Sequence, residues 1–98
     1  MPQVAYSRNA ASDLDRLHRF WVEKNPQAAA RAIVTIIERL GELGRFPRLG
    51  RVDPDRPQTR ELFMRFGTAG YVARYRIDDD TVIVMAVRHA REAGYMDE

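Results

Sequence analysis

Apolar residues recur at helical spacing through the first half of this chain and alternate with polar ones through much of the second half. Val4-Ala5-Tyr6 is a short extended-prone stretch and reads as a first strand. Ser7 follows it, a residue type able to cap a helix by accepting a backbone N–H. From Arg8 to about Glu23, Ala11, Leu14, Leu17 and Trp21 recur three or four residues apart, with Asp13, Asp15, Arg16 and Arg19 on the remaining surface. That is the pattern of an amphipathic helix. Asn25-Pro26 interrupts it and suits the start of another helix. The second helix is predicted from about Pro26 to Leu43, with Ala29, Ile33, Ile36, Ile37, Leu40 and Leu43 as its apolar stripe and Gly44 as its stop. So short a break predicts an antiparallel helical hairpin.

Phe46 to Gln58 holds three prolines and a glycine without periodicity and is predicted to be a loop. Strands are then predicted at Glu61 to Phe66, Tyr71 to Ile77 and Thr81 to His89, joined by turns at Gly67 to Gly70 and Asp78-Asp79-Asp80. The order β-α-α-β-β-β predicts an α+β two-layer sandwich, with a helical hairpin packed on one face of an antiparallel sheet and residues 1–98 as a single domain. Strict alternation places Leu62, Met64, Phe66, Ala73, Tyr75, Ile77, Ile83, Met85 and Val87 against the helices. Glu61, Phe63, Arg65, Val72, Arg74, Arg76, Val84, Ala86 and Arg88 then share the other face, with no helix left to cover it. Such a face either binds a macromolecule or is solvated beneath snorkelling arginines.

Composition narrows the chemistry. With 98 residues and 45% apolar content the chain can build one modest core. The absence of cysteine excludes disulfides, thiol catalysis and cysteine-bound metal. No apolar run approaches the roughly 18 residues that span a bilayer. The start, Met1-Pro2-Gln3-Val4, lacks the regions of a secretory signal, so a cytoplasmic location and no membrane partner are expected. Of 16 basic residues only Lys24 is not arginine. Arginine suits bidentate contacts to carboxylate or phosphate; codon usage in a GC-rich genome explains the same bias.

His18 and His89 have no metal-ligand spacing, the glycines are scattered, and Asp78-Asp79-Asp80 fits a hairpin turn better than a calcium loop. Ser7 and Ser12 have no base partner in view. No cofactor or metal is therefore expected. One constellation carries potential chemistry: Arg65, Arg74 and Arg88, with His89 or Tyr95 near the strand end, could hold RNA phosphates and move protons. His89 reads equally as a histidine at the edge of the core.

Six segments, taken in order, resemble the ParE/RelE toxin superfamily, also called plasmid stabilisation proteins. They are Ala11-Ser12-Asp13-Leu14, Asn25-Pro26-Gln27-Ala28-Ala29, Phe46-Pro47-Arg48-Leu49-Gly50-Arg51, Arg60-Glu61-Leu62, Gly70-Tyr71-Val72-Ala73-Arg74-Tyr75-Arg76 and Val87-Arg88-His89-Ala90-Arg91-Glu92. The resemblance implies a helical hairpin on an antiparallel sheet, a cognate antitoxin partner and a hetero-oligomer with it. RelE-like members cut messenger RNA on the ribosome and typically carry an arginine directly after the tyrosine of the third strand; here that position is Val72. The loop before the second strand of that family, often lysine-bearing in the nucleases, holds Arg51, Arg56 and Arg60, and Arg91 and Tyr95 are the candidates for the nucleases' basic and tyrosine tail residues.

Tyr-Val-Ala-Arg-Tyr-Arg followed by Arg-His-Ala-Arg-Glu-Ala-Gly-Tyr is more similar to the ParE branch, whose members typically poison DNA gyrase. The resemblance thus favours a non-enzymatic gyrase inhibitor. A ribosome-dependent endoribonuclease and a binding module that has lost toxicity are the alternatives. Expected antitoxin contacts are Leu14, Leu17, Trp21, Ile33, Ile37, Phe63 and Arg74, and the expected target surface is Arg65, Arg76, Arg88 and Arg91.

Overall fold

The computed structural model describes residues 3–95, so positions 1, 2 and 96–98, including the end of the carboxy-terminal tail, lie outside the described residues. Ser7 turns the chain from strand β1 (Gln3–Tyr6) into helix α1 (Arg8–Val22), its hydroxyl accepting the Ala10 N–H at 3.0 Å. Asn25 repeats the device for helix α2 (Pro26–Gly41), accepting the Ala28 N–H at 3.1 Å with Pro26 in the first helical position. Both caps satisfy amides that a helix start leaves without an internal partner. A short 3-10 turn, Glu42–Gly44, ends the hairpin and buries Leu43 completely.

The remaining strands are β2 (Arg51–Asp53), β3 (Arg56–Phe66), β4 (Ala69–Asp78) and β5 (Thr81–His89). They form one sheet in the order β1-β5-β4-β3-β2, antiparallel throughout except for the parallel pairing of β1 with β5. Two-residue turns close the β3–β4 and β4–β5 hairpins. Gly67 (φ +63°) supplies the left-handed backbone at the first, and Asp79 (φ 52°) at the second; positive φ matches the twist of paired strands. The α+β sandwich is thus as the residue pattern predicts. The segment expected to be all loop, Phe46 to Gln58, instead contains β2 and the start of β3. Both strands are mostly exposed there. An edge strand that buries neither face needs no apolar alternation, so it leaves no periodic trace.

The sheet faces follow the expected alternation on β3 and β4 but not along the whole of β5. Ala73 lies opposite Val87 and Tyr75 opposite Val84, which leaves Met85 as an extra residue, a β-bulge. Val82 and Val84 are consequently the fully buried residues, while Ile83 and Met85, expected to face the helices, are only half-buried. One inserted residue reverses the period-two pattern beyond it.

A buried carboxylate lies close to the bulge. The Met85 carbonyl accepts from the Ser7 hydroxyl (3.0 Å) and the Asn9 carboxamide (3.2 Å), and Asp13 accepts the Val87 N–H at 2.9 Å. The cap and polar side chains of α1 thereby satisfy β5 backbone groups at the bulge and just past the end of β1. Asp13 is 3% exposed, on the line Ala10, Asp13, Leu17, rather than on the solvent surface where periodicity places it; Ala11, expected inside, is exposed. Burial raises the Asp13 pKa, and the Val87 N–H and Arg16 pull it down without cancelling that effect.

Replacing Asp13 with alanine strands the buried Val87 N–H and is expected to cost about 1–3 kcal/mol, read as a lower urea midpoint. Asp13→Asn keeps an acceptor and is expected to cost less. Because the folded chain holds the Asp13 proton at pH values where the unfolded chain has released it, this group's contribution to stability is greatest below the ordinary carboxylate range. That contribution falls as pH rises from the ordinary value through the raised one. Urea titrations across mild acid are expected to show that decline in the parent chain and a flatter profile in Asp13→Asn.

Candidate macromolecule-binding surfaces

The sheet face turned away from the helices is built from alternate residues of β3, β4 and β5. Glu61 pairs with Arg74, Phe63 with Val72, and Val72 with Arg88. The sequence predicts this face to be uncovered; the carboxy-terminal tail in fact folds back over its centre. The Arg88 guanidinium donates to the carbonyls of His89, Ala90 and Glu92 at 3.3, 3.3 and 3.0 Å, winding the chain back as it leaves β5. Tyr95 then lies over the guanidiniums of Arg74 (4.3 Å from its ring centre) and Arg88 (5.1 Å), and its hydroxyl donates to Glu61 at 2.6 Å. Arg74 is 8% exposed and also pairs with Asp53 at 3.4 Å. These contacts explain why arginines on an apolar sheet attract a tyrosine rather than water.

Of the five residues that could carry chemistry, the structure brings together Arg74, Arg88 and Tyr95. Arg65 is exposed farther along β3, beside Phe63 and Arg91 in a shallow depression. His89 faces the helix side: its ring meets the buried Tyr71 edge-on at 5.4 Å and its Nδ1 accepts the Arg91 N–H at 3.1 Å. Burial first, then the hydrogen bond and charge of Glu61, push the Tyr95 hydroxyl far above the ordinary tyrosine pKa. It therefore keeps its proton and directs it at Glu61. Arg76 is exposed and pairs with Asp78.

On the helix side an open groove of about 690 Å³ runs between α1 and the β3–β4 turn. Leu17, Phe20, Trp21, Phe66, Tyr71 and His89 line it, and Trp21 donates to the Tyr71 hydroxyl at 2.7 Å. At its rim Arg16 binds Glu92 through both carboxylate oxygens (3.2 and 3.0 Å), and Glu92 also accepts the His89 N–H at 2.8 Å. The tail is thus fixed to α1 on one side and to the open face on the other. Phe20, at the groove mouth, is 57% exposed.

The expected antitoxin contacts do not form one surface. Leu17 and Trp21 line the groove, Leu14 and Ile33 pack half-buried on the core, and Ile37 is exposed on α2. Phe63 and Arg74 stand on the opposite side of the sheet, Phe63 exposed. Alternation places Phe66 on this side of the sheet; Phe20, Tyr71 and His89 are groove residues that periodicity does not assign. Phe20 had one signal, an aromatic residue outside the apolar stripe of its helix. Among the described residues no group of three or more acidic, histidine or cysteine side chains is placed to hold a metal, and no helix is long and apolar enough to cross a membrane.

A helical hairpin on one face of a five-stranded sheet, with an apolar groove beside it and an arginine-rich second face, is the arrangement that the resemblance to the toxin superfamily implies. The chain belongs to the ParE toxin family: residues 4–94 match the family model described as ParE toxin of type II toxin-antitoxin system, parDE. It is similar to Toxin RelE3 of Caulobacter vibrioides, 37% identical over 92 residues, which are 94% of this chain and 98% of that one. It is similar also to Toxin RelE1 of the same organism, 37% identical over 89 residues, 91% of this chain and 94% of that one. A solved chain from the chromosomal ParDE system of P. aeruginosa shares the fold, with a TM-score of 0.74 at 22% identity, covering 91% of this chain and 96% of that one.

Removing the Tyr95 ring strips two cation–π contacts and a hydrogen bond. Tyr95→Ala is expected to lower stability by about 1–2 kcal/mol in urea unfolding and to speed hydrogen exchange at Ala90–Glu92.

Proposed function

We propose that this chain acts as the toxin of a bacterial toxin–antitoxin pair in the cytoplasm, that its target is DNA gyrase, and that its antitoxin neutralises it by seating an amphipathic segment in the groove between α1 and the β3–β4 turn. The single observation that carries the non-enzymatic reading is the state of the open face. A phosphodiester cleavage site needs donors and a titrating group free to meet the scissile phosphate. Here Val72 offers neither, Arg74 and Arg88 lie beneath the Tyr95 ring, and Tyr95 holds its proton against Glu61. Arg65, Arg76 and Arg91 stay exposed and are the residues through which we expect this face to grip its target, with Arg88 as support beneath.

The groove suits an antitoxin because it offers an aromatic floor with charged groups at the rim. A helix or extended segment carrying one large apolar anchor would bury Phe20, and an acidic residue beside it would meet Arg91. Purified chain added to gyrase is expected to inhibit supercoiling and accumulate cleaved DNA. Gyrase activity unchanged at large molar excess would sink the assignment. Phe20→Asp or Trp21→Ala is expected to weaken capture by the antitoxin at least about tenfold, while leaving growth arrest intact when the chain is expressed alone.

The alternative of a ribosome-dependent endoribonuclease draws on the RelE names of the two Caulobacter relatives and on the exposed Arg65. Messenger RNA cut in phase with codons during induced expression, and abolished by Arg65→Ala, would establish it. Induction without any growth defect would favour instead a binding module that has lost toxicity.

A further inference from the structure

Between the helical hairpin and β3 the chain carries a pattern that the groove and the open face leave unused. Arg45, Arg48 and Arg51 recur every third residue, and each is followed by a large apolar side chain: Phe46, Leu49 and Val52. All six are exposed, the apolar three by 56%, 42% and 42%. Together these make up three of the seven large apolar residues exposed among the described residues, gathered within one short stretch.

The segment is held from beneath. The buried Tyr75 hydroxyl accepts the Gly50 N–H at 2.8 Å and donates to the Pro47 carbonyl at 2.7 Å. Arg60 donates to the carbonyls of Arg48 (3.3 Å) and Gly50 (2.8 Å), and the Leu49 N–H closes a turn onto the Phe46 carbonyl at 3.1 Å. Gly50 is packed so closely that a Cβ there would lie 2.7 Å from the Tyr75 ring and the Glu61 carbonyl. A surface segment with its backbone fixed this way presents its side chains at little entropic cost on binding.

Its arginines lack paired carboxylates among the described residues, and Glu61, across the strand pair from Arg51, accepts the Tyr95 hydroxyl. The carboxylates nearest in sequence are committed elsewhere, Glu42 to Arg39 at 2.7 Å and Asp53 to Arg74 at 3.4 Å. Among the described residues Arg45, Arg48 and Arg51 make no ion pair, and the Arg45 guanidinium rests 5.6 Å from the Phe46 ring centre. The segment leads directly into β2, whose outer edge has no neighbouring strand among the described residues.

We propose that the Arg45–Val52 edge is a docking surface for an extended protein segment in which acidic and apolar side chains alternate. Carboxylates would answer the three arginines, apolar side chains would cover Phe46, Leu49 and Val52, and the free β2 edge would offer backbone hydrogen bonds. A nucleic acid fits less well: phosphates would meet the arginines, but Leu49 and Val52 give no ring on which a base could stack and would stay in water. This surface shares no residue with the groove and meets the Tyr95-covered face only where Arg51 stands opposite Glu61, and the inference does not rest on the target proposed above.

The test is fluorescence anisotropy of a short synthetic peptide alternating Glu or Asp with Leu and Phe, titrated with the intact chain at low and high salt. Saturable binding that weakens with salt is expected. Two surface variants, Arg45→Glu/Arg48→Glu/Arg51→Glu and Phe46→Ser/Leu49→Ser, are each expected to lower affinity by more than about tenfold while circular dichroism stays unchanged. Tyr75→Phe, which keeps every contacting side chain but unpins the segment, is expected to weaken binding about two- to fivefold. No saturable binding up to about millimolar chain, binding indifferent to charge reversal, or displacement of the peptide by an oligothymidylate at lower concentration would each overturn the proposal.

Discussion

The backbone of β5 is out of step by one residue at Met85, and α1 is built to receive that irregularity. Ser7, Asn9 and Asp13 meet a carbonyl and an amide that the sheet itself cannot pair. A helix packed on a sheet by apolar contacts alone could slide; one bonded to a single irregular site cannot. The same bulge puts Val84 rather than Met85 opposite Tyr75, so the register of the core depends on it too. Farther along α1, Arg16 continues the line of contact to Glu92 and so fixes where the tail leaves the sheet.

From that anchor the tail determines the character of the second face. Glu92 holds it at the helix side and Tyr95 closes it over Arg74 and Arg88. Arginines that look like a free anion-binding set in the sequence are thereby turned into the support for an aromatic lid. What stays accessible lies farther out, in the groove beside Trp21 and at the exposed residues around the sheet. The molecule thus separates its apolar groove from its exposed arginines.

Periodicity revealed the helices because Ser7 and Asn25 are caps and the stripes on α1 and α2 are deep. It revealed β3 and β4 because Leu62, Met64, Ala73 and Tyr75 recur at every second position, with Glu61, Arg65, Arg74 and Arg76 between them and only Phe63 and Val72 breaking the polar set. It misplaced Ile83 and Val84 because a bulge in a uniformly apolar strand has no signature in residue type. Asp13 was hidden for a related reason: a carboxylate on a helix reads as solvent-facing unless the amide waiting for it is known. The arginines of the open face were legible as a set, yet the covering Tyr95 belongs to a tail with no periodicity, and only the fold brings it back to Glu61. His89 illustrates the limit most simply, since its place at the end of a strand fits either face, and its contact with Tyr71 decides between them.

The parallel pairing of β1 with β5 has a consequence for synthesis. Residues 3–6 can find their partners, residues 81–84, only once synthesis has passed the helical hairpin and the other strands of the sheet. Non-local closure of this kind is slow relative to forming the helical hairpin. During translation the first strand and the underside of α1 therefore emerge without the surface they are shaped for, and every molecule passes through an interval in which its core is open to whatever is nearby.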